Sequence, residues 1–258
     1  MRTLCGTVLA AIAIVLAVSS AHAEGALCLT FDDRNFDSWE RCIPLFERYN
    51  AHATFFVCGP IDARAEKCMR RLSAAGHSLG LHGLKHLDAP KAITRLGEEG
   101  YLREEILPQL SVCREKGLDV RSFGYPFSER SPRSDALLLR YFDWLRGGFG
   151  KVGNKSWGVW TPPFPIGAAS SNRVMMAMCG TNPRDTPERI AVMMPQVAAS
   201  NVVFSAYAHD IEAKGKGHFR NNITEEDLET VLSAAKSAGV AVIGFDELPC
   251  SRATTKER

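Results

Sequence analysis

The chain has 258 residues, 45% hydrophobic and 23% charged, the balance of a packed domain rather than a disordered polymer. Its formal charge of +2, with no basic stripe interleaved with aromatics, gives no argument for a nucleic-acid partner. The length suits one α/β unit of about 200–250 residues.

The N-terminus is a different kind of sequence from the rest. Arg2 supplies a positive start, Val8 to Val18 is an apolar and small-residue run, and Ala21-His22-Ala23 is an A-x-A cleavage pattern. This predicts a secretory signal peptide over residues 1–23, cut before Glu24. An uncleaved anchor is the alternative, but the run is shorter than the roughly 20 residues that span a bilayer, so no stable membrane span is expected after cleavage. The expected chain is exported, periplasmic or secreted. Loss of Cys5 leaves Cys28, Cys42, Cys58, Cys68, Cys113, Cys179 and Cys250. In an oxidising compartment disulfides are expected, with at least one thiol left over, and Cys58 with Cys68 is a candidate local pair. No C-x-x-C pair argues for a cysteine zinc site or redox motif.

From Ala26 the pattern alternates. Ala26 to Phe31 is a short apolar strand ending in Asp32-Asp33. Trp39, Cys42, Ile43, Phe46 and Tyr49 form one helix face over 38–49, Ala53 to Val57 a strand stopped by Gly59-Pro60, and Ala65, Cys68, Met69 and Leu72 a second helix closed by Gly76. His77 to Leu81 follows as a strand. Leu102, Ile106, Leu110 and Cys113 predict a helix that Pro108 kinks or splits. Val120 to Tyr125 reads as a strand, Asp135 to Tyr141 as a short helix and Leu145 to Phe149 as a strand. Residues 150–182, rich in Gly, Pro, Trp and Met, read as a long loop insertion. A helix over 188–199 and a strand over 202–208 follow. Thr224 and Asp227 form a capping-box variant ahead of a helix with Leu228, Val231, Leu232 and Ala235 inside, stopped by Gly239; Val240 to Phe245 closes the sheet. About seven strands alternating with about six helices predict one parallel-stranded α/β domain over 24–250, with a disordered tail at 251–258.

Three groups fall just past strand ends, where an α/β barrel assembles its site. Asp32-Asp33 places two carboxylates side by side, a cost that a cation or proton relieves; solvated loop acids are the other reading. His82 and His86 are four residues apart, a spacing that lets both ligate one metal ion, against a chance pair of histidines. Two histidines and a carboxylate leave an open position, as in hydrolytic zinc centres. His209, past a late apolar strand, is a candidate proton donor or simply a strand-end histidine. Trp157, Trp160 and Phe164 either cover the core or stack on sugar.

In this order the groups resemble the polysaccharide deacetylase family, the NodB-homology or carbohydrate esterase 4 proteins. The resemblance runs from Leu27 to about Leu248: Leu29-Thr30-Phe31-Asp32-Asp33, Ala53-Thr54-Phe55-Phe56-Val57, Gly76-His77 leading into His82-Gly83-Leu84-Lys85-His86, Phe123-Gly124-Tyr125-Pro126-Phe127 and Ala208-His209-Asp210. It implies a distorted (β/α) barrel of parallel strands. It also implies a divalent metal, most often Zn2+, on Asp33, His82 and His86, with Asp32 as general base and His209 as general acid. Tyr125 and Phe127 would then serve the oxyanion and substrate. The implied substrate is an N-acetylated glycan, and acetate and an amino sugar are the products. The commonest third motif carries an arginine where this chain has Gly124; the segment is closer to an F-A-Y-P-Y-G-like subset that includes deacetylases of exported poly-N-acetylglucosamine, with Ser128 for the final glycine. Arg146 is an alternative brace for the site, and Asp143 a candidate to orient His209. Another amide on the same metal site, such as a formylated sugar-lipid, and a non-catalytic glycan-binding relative are the competing readings.

Overall fold

The computed structural model describes residues 25–148, 164–165, 173–179, 187–200, 202–215 and 221–248. The expected leader and tail, Trp157, Trp160, Cys5 and Cys250 lie outside the described residues, as do the side chains of Phe164 and Cys179. In chain order the elements are β1 (Ala26–Asp33), α1 (Phe36–Arg48), β2 (Thr54–Val57), α2 (Ala63–Ala74), β3 (Ser78–Leu81), α3 (Ala89–Tyr101), α4 (Leu107–Glu115), β4 (Ser122–Gly124), α5 (Pro132–Leu138), β5 (Trp144–Gly148), β6 (Phe164–Pro165), β7 (Val174–Cys179), α6 (Pro187–Ala199), β8 (Val202–Ala208), β9 (Ile211–Glu212), β10 (Ile223–Thr224), α7 (Glu225–Ala238) and β11 (Ala241–Val242).

Seven parallel strands run in the order β1-β2-β3-β4-β5-β7-β8, and β8 pairs back onto β1, curling the sheet into a barrel with helices outside. Strands covered on both faces read as continuous apolar runs rather than alternating ones, and seven consecutive residues of β1 are buried. The two faces separate cleanly. Leu27, Leu29 and Phe31 pack under the helices, whereas Ala26 and Cys28 join Phe56, Trp144, Met175, Val203, Phe245 and Leu248 in a second cluster inside the barrel. Thr30 and Asp32 continue the inward row of β1 by alternation.

Several expectations shift in place. Pro108 does split its helix: a π-helical turn over Leu102–Ile106 precedes α4, where Pro108 sits in the first turn and its missing N–H costs nothing. Sequence periodicity misses α3 because Gly97, at φ +72°, interrupts its helical backbone. The stretch read as a loop insertion contains β7, a full barrel strand. The closing strand shortens to β11, since the chain turns into a 3-10 segment at Phe245–Glu247 that carries Phe245 into the barrel. The capping box forms as the sequence predicts: Asp227 N–H donates to Thr224 Oγ1 at 3.2 Å and Thr224 N–H to Asp227 Oδ2 at 3.1 Å. Cys58 and Cys68 do not pair; both are free thiols, as are Cys28, Cys42 and Cys113. Among the described residues no helix is long and apolar enough to cross a membrane.

Candidate metal centre

The strand ends deliver the chemistry to one mouth of the barrel. At the end of β1, Asp32 stays in the inward row and is 2% exposed, while Asp33 turns out of the strand at φ +82° and is partly open. Asp33 Oδ1 lies 3.8 Å from His82 Nε2 and 3.9 Å from His86 Nε2. Each of the three residues offers a ligand atom, all within 4.8 Å of one another. His82 Nδ1 is 2.8 Å from Gly124 O, which can only accept, so Nδ1 carries the proton and Nε2 keeps its lone pair for the mouth. Burial holds His82 and His86 below the ordinary histidine range even against the pull of Asp32 and Asp33, which keeps both rings neutral and able to ligate. One carboxylate and two neutral imidazoles therefore fit a divalent ion such as zinc, with room for further ligands.

Asp32 has a separate partner. Arg146, 1% exposed on β5, donates from Nη2 to Asp32 Oδ2, and its guanidinium lies between the rings of Phe56, 5.2 Å away, and Tyr207, 4.9 Å away. Burial alone would raise the Asp32 carboxyl; the Arg146 charge, with His82 and His209, outweighs it and holds the group below the usual carboxylate range. Gly124 is the residue paired with Arg146 across β4 and β5, and a Cβ there would stand 2.8 Å from Arg146 Nη2 and 3.0 Å from Phe56 Cγ. The arginine side chain thus occupies the space above a glycine that cannot be anything larger without displacing it. Asp32 Oδ1, the other carboxylate oxygen, is buried and unpartnered among the described residues.

His209 follows β8 and completes the rim, its Nε2 4.0 Å from Asp33 Oδ2. Its Nδ1 faces Asn221 O at 3.1 Å, and α1 fixes the backbone around it: Trp39 Nε1 donates to His209 O at 3.0 Å and Ser38 Oγ to Asp210 Oδ1. Asp143 does not orient His209. It precedes β5, at the end of the barrel opposite the mouth, where its backbone N–H donates to Arg121 O at 2.7 Å. Tyr125 also stands apart: its ring is fully buried, its hydroxyl donates to Asp135 Oδ1 at 2.9 Å, and its N–H goes to Arg146 O at 2.9 Å, so neither group is offered to a substrate. Phe127 is at the rim, 64% exposed, with its ring edge against His86 at a centroid distance of 4.5 Å. The structure therefore brings together Asp32, Asp33, His82, His86, Phe127, Arg146 and His209, and adds Asn221, Trp39 and Ser38, whose parts are backbone contacts or supporting hydrogen bonds with no motif to flag them.

A parallel (β/α) barrel that gathers Asp33, His82 and His86, a group able to hold a metal ion, and a buried acid at one mouth has the fold of the NodB-like deacetylase barrels. Residues 19–141 match the sequence family described as polysaccharide deacetylase. No curated protein matches the sequence. The fold is similar to the chitin deacetylase of Colletotrichum lindemuthianum (16% identity, TM-score 0.56, 88% of each chain). It is likewise similar to the catalytic domain of a peptidoglycan N-acetylglucosamine deacetylase from Eubacterium rectale (15%, TM-score 0.54, 89% of this chain and 92% of that one). A third likeness is to a BA3943 mutant, a CE4 family pseudoenzyme with restored enzymatic activity (13%, TM-score 0.54, 87% and 67%). At these identities the likeness is one of fold.

Proposed function

We propose that the chain is an exported, metal-dependent hydrolase that removes N-acetyl groups from an N-acetylated glycan, its catalytic unit spanning 24–250 behind a cleaved leader at 1–23. The observation that carries this reading is the pairing of two functions at one mouth: a three-residue ligand set, Asp33, His82 and His86, beside an acid, Asp32, that is buried yet held ionised by Arg146. Asp33, His82 and His86 would hold a divalent ion, which would supply a Lewis acid for the acetamide carbonyl and lower the pKa of water. Asp32, whose Oδ2 lies 3.8 Å from His82 Nε2, accepts the proton of the attacking water. His209, with Nδ1–H committed to Asn221 O, presents Nε2 to the site and, when that nitrogen is protonated as well, passes its proton to the departing amine. The Phe127 backbone serves the oxyanion, and its exposed ring lies against the apolar side of the substrate. Chitin and peptidoglycan appear among the substrates named for proteins of this fold, so the polymer follows from the loops around the mouth and not from the barrel.

Acetate release from chitooligosaccharides and from poly-β-1,6-N-acetylglucosamine, with and without chelator, tests the reading. The expected result is release that a chelator abolishes and zinc restores. Asp32→Asn is expected to lower turnover by about 10²–10⁴-fold with glycan binding retained. Turnover that survives chelation overturns the role of the ion, and turnover that survives the substitution overturns that of Asp32.

A further inference from the structure

The loop that carries both histidines, residues 82–88, runs between β3 and α3 with unfavourable backbone at two points: Gly83 has φ +85° and His86, a non-glycine, has φ +57°. A left-handed histidine persists only where its surroundings over-determine it. The constraint comes from one side chain on the π-helical turn. Glu105, fully buried, accepts Lys85 N–H at Oε2 and Leu87 N–H at Oε1, both at 2.7 Å, and its own carbonyl accepts Leu84 N–H at 3.1 Å. The two carboxylate bonds fall on the residues immediately before and after His86. Gly83 is small for the same reason, since a Cβ there would collide with Glu105 Oε1. Four residues on, Gln109, 1% exposed, donates to Gly59 O at 2.6 Å, and Gly59 N–H in turn donates to Gly83 O at 2.9 Å. A π-turn places the backbone wider than an α-helix does, and such turns recur at functional sites. Here Glu105 reaches the loop after β3 from that turn, and Gln109 reaches the loop after β2 from α4, which follows it.

We infer that Glu105 is a positioning residue for the metal centre, a buried carboxylate that pins the backbone on both sides of His86 and so sets the second imidazole before any ion arrives. The inference rests on the reading of Asp33, His82 and His86 as ligands. Glutamine in place of Glu105 would turn an amide N–H2 toward one of the two donor N–H groups, and alanine would leave both unanswered.

The test is zinc affinity of the full chain, measured in competition with a chromophoric chelator, for the wild type, Glu105→Gln, Glu105→Asp and His86→Asn. Expected is a dissociation constant raised at least about tenfold by Glu105→Gln, with Glu105→Asp between it and the wild type. Turnover lost at limiting zinc returns as zinc is raised, which a general folding defect would not produce. A Glu105→Gln affinity within about twofold of the wild type overturns the inference. If that happens while His86→Asn abolishes binding, only the positioning role falls. If His86→Asn leaves zinc binding intact, the ligand reading falls and takes this inference with it. Should the Glu105 variants fail to fold, hydrogen exchange on the metal-free wild type decides: slow exchange at the Lys85 and Leu87 amides is expected, and fast exchange at both overturns the inference.

Discussion

The two ends of the barrel are built from the same strands and follow opposite rules. Where the strands begin, Ala26, Cys28, Trp144, Met175 and Val203 pack against Phe245 and Leu248, an apolar plug of ordinary core character. Where they finish, buried charge and unfavourable backbone gather. Of the six non-glycine residues with positive φ among the described residues, Asp33, His86, Phe127, Ser128 and Asn221 are at the mouth, and only Asn50 is not. Asp32 and Arg146 form a buried ion pair there. Strain and desolvated charge both cost stability, so their concentration at one end shows where the fold gives up stability for geometry.

Breaking the mouth should therefore cost more than perturbing the plug end. Arg146→Met is the largest expected effect: it leaves Asp32 buried without its partner and is expected to destabilise the chain by about 3–5 kcal/mol, read by urea unfolding. In whatever folded protein remains, the acid limb of the pH–rate profile should move up, because the carboxyl loses the charge that holds it down. Gly124→Ala is milder. Its methyl meets Arg146 and Phe56, an overpacking expected to cost about 1–3 kcal/mol, and a melting curve identical to the wild type would refute the crowding. The smallest effect sharpens the contrast from the other end. His77 Nδ1 accepts Ala53 N–H at 3.0 Å, and burial, with His52 nearby, lowers its pKa to about 4. The unfolded chain takes up this proton near the ordinary 6.5 and the folded chain does not, so His77's contribution to stability is present above that value and is lost as pH falls toward 4. Relative to His77→Asn, whose Oδ1 can take the same N–H, the wild type should lose about 1.5 kcal/mol between pH 6.5 and pH 5. Asp246, raised by burial to about 6, slopes the other way but is present in both proteins and cancels in the difference.

The sequence makes the local parts of this molecule readable and leaves the non-local ones dark. β1, α1 and α7 follow from apolar spacing and caps, and His82 with His86 from a four-residue interval. Arg146 is visible as a basic residue in an apolar strand, a conspicuous cost that asks for a partner. Asp143, three residues before it, is no less conspicuous but belongs to the other end of the barrel, because β5 carries the chain from one end to the other. Tyr125 misleads since a tyrosine beside a motif proline looks available until its burial is known. Glu105, Trp39, Ser38 and Asn221 leave no trace because they act largely on or through backbone groups, and a backbone N–H or carbonyl has no letter in the sequence. β7 is hidden by a methionine-rich composition that resembles no strand pattern.

The pairing of Gly124 with Arg146 also constrains descent. Where the resemblance puts an arginine at position 124, this chain sends one across from the neighbouring strand, and the space holds a single guanidinium. A lineage moving from one arrangement to the other must pass through an ancestor with both or with neither. The first is crowded and the second leaves its acid bare. Changes at 124 and 146 are therefore expected to be non-additive in stability, as a double-mutant cycle would read.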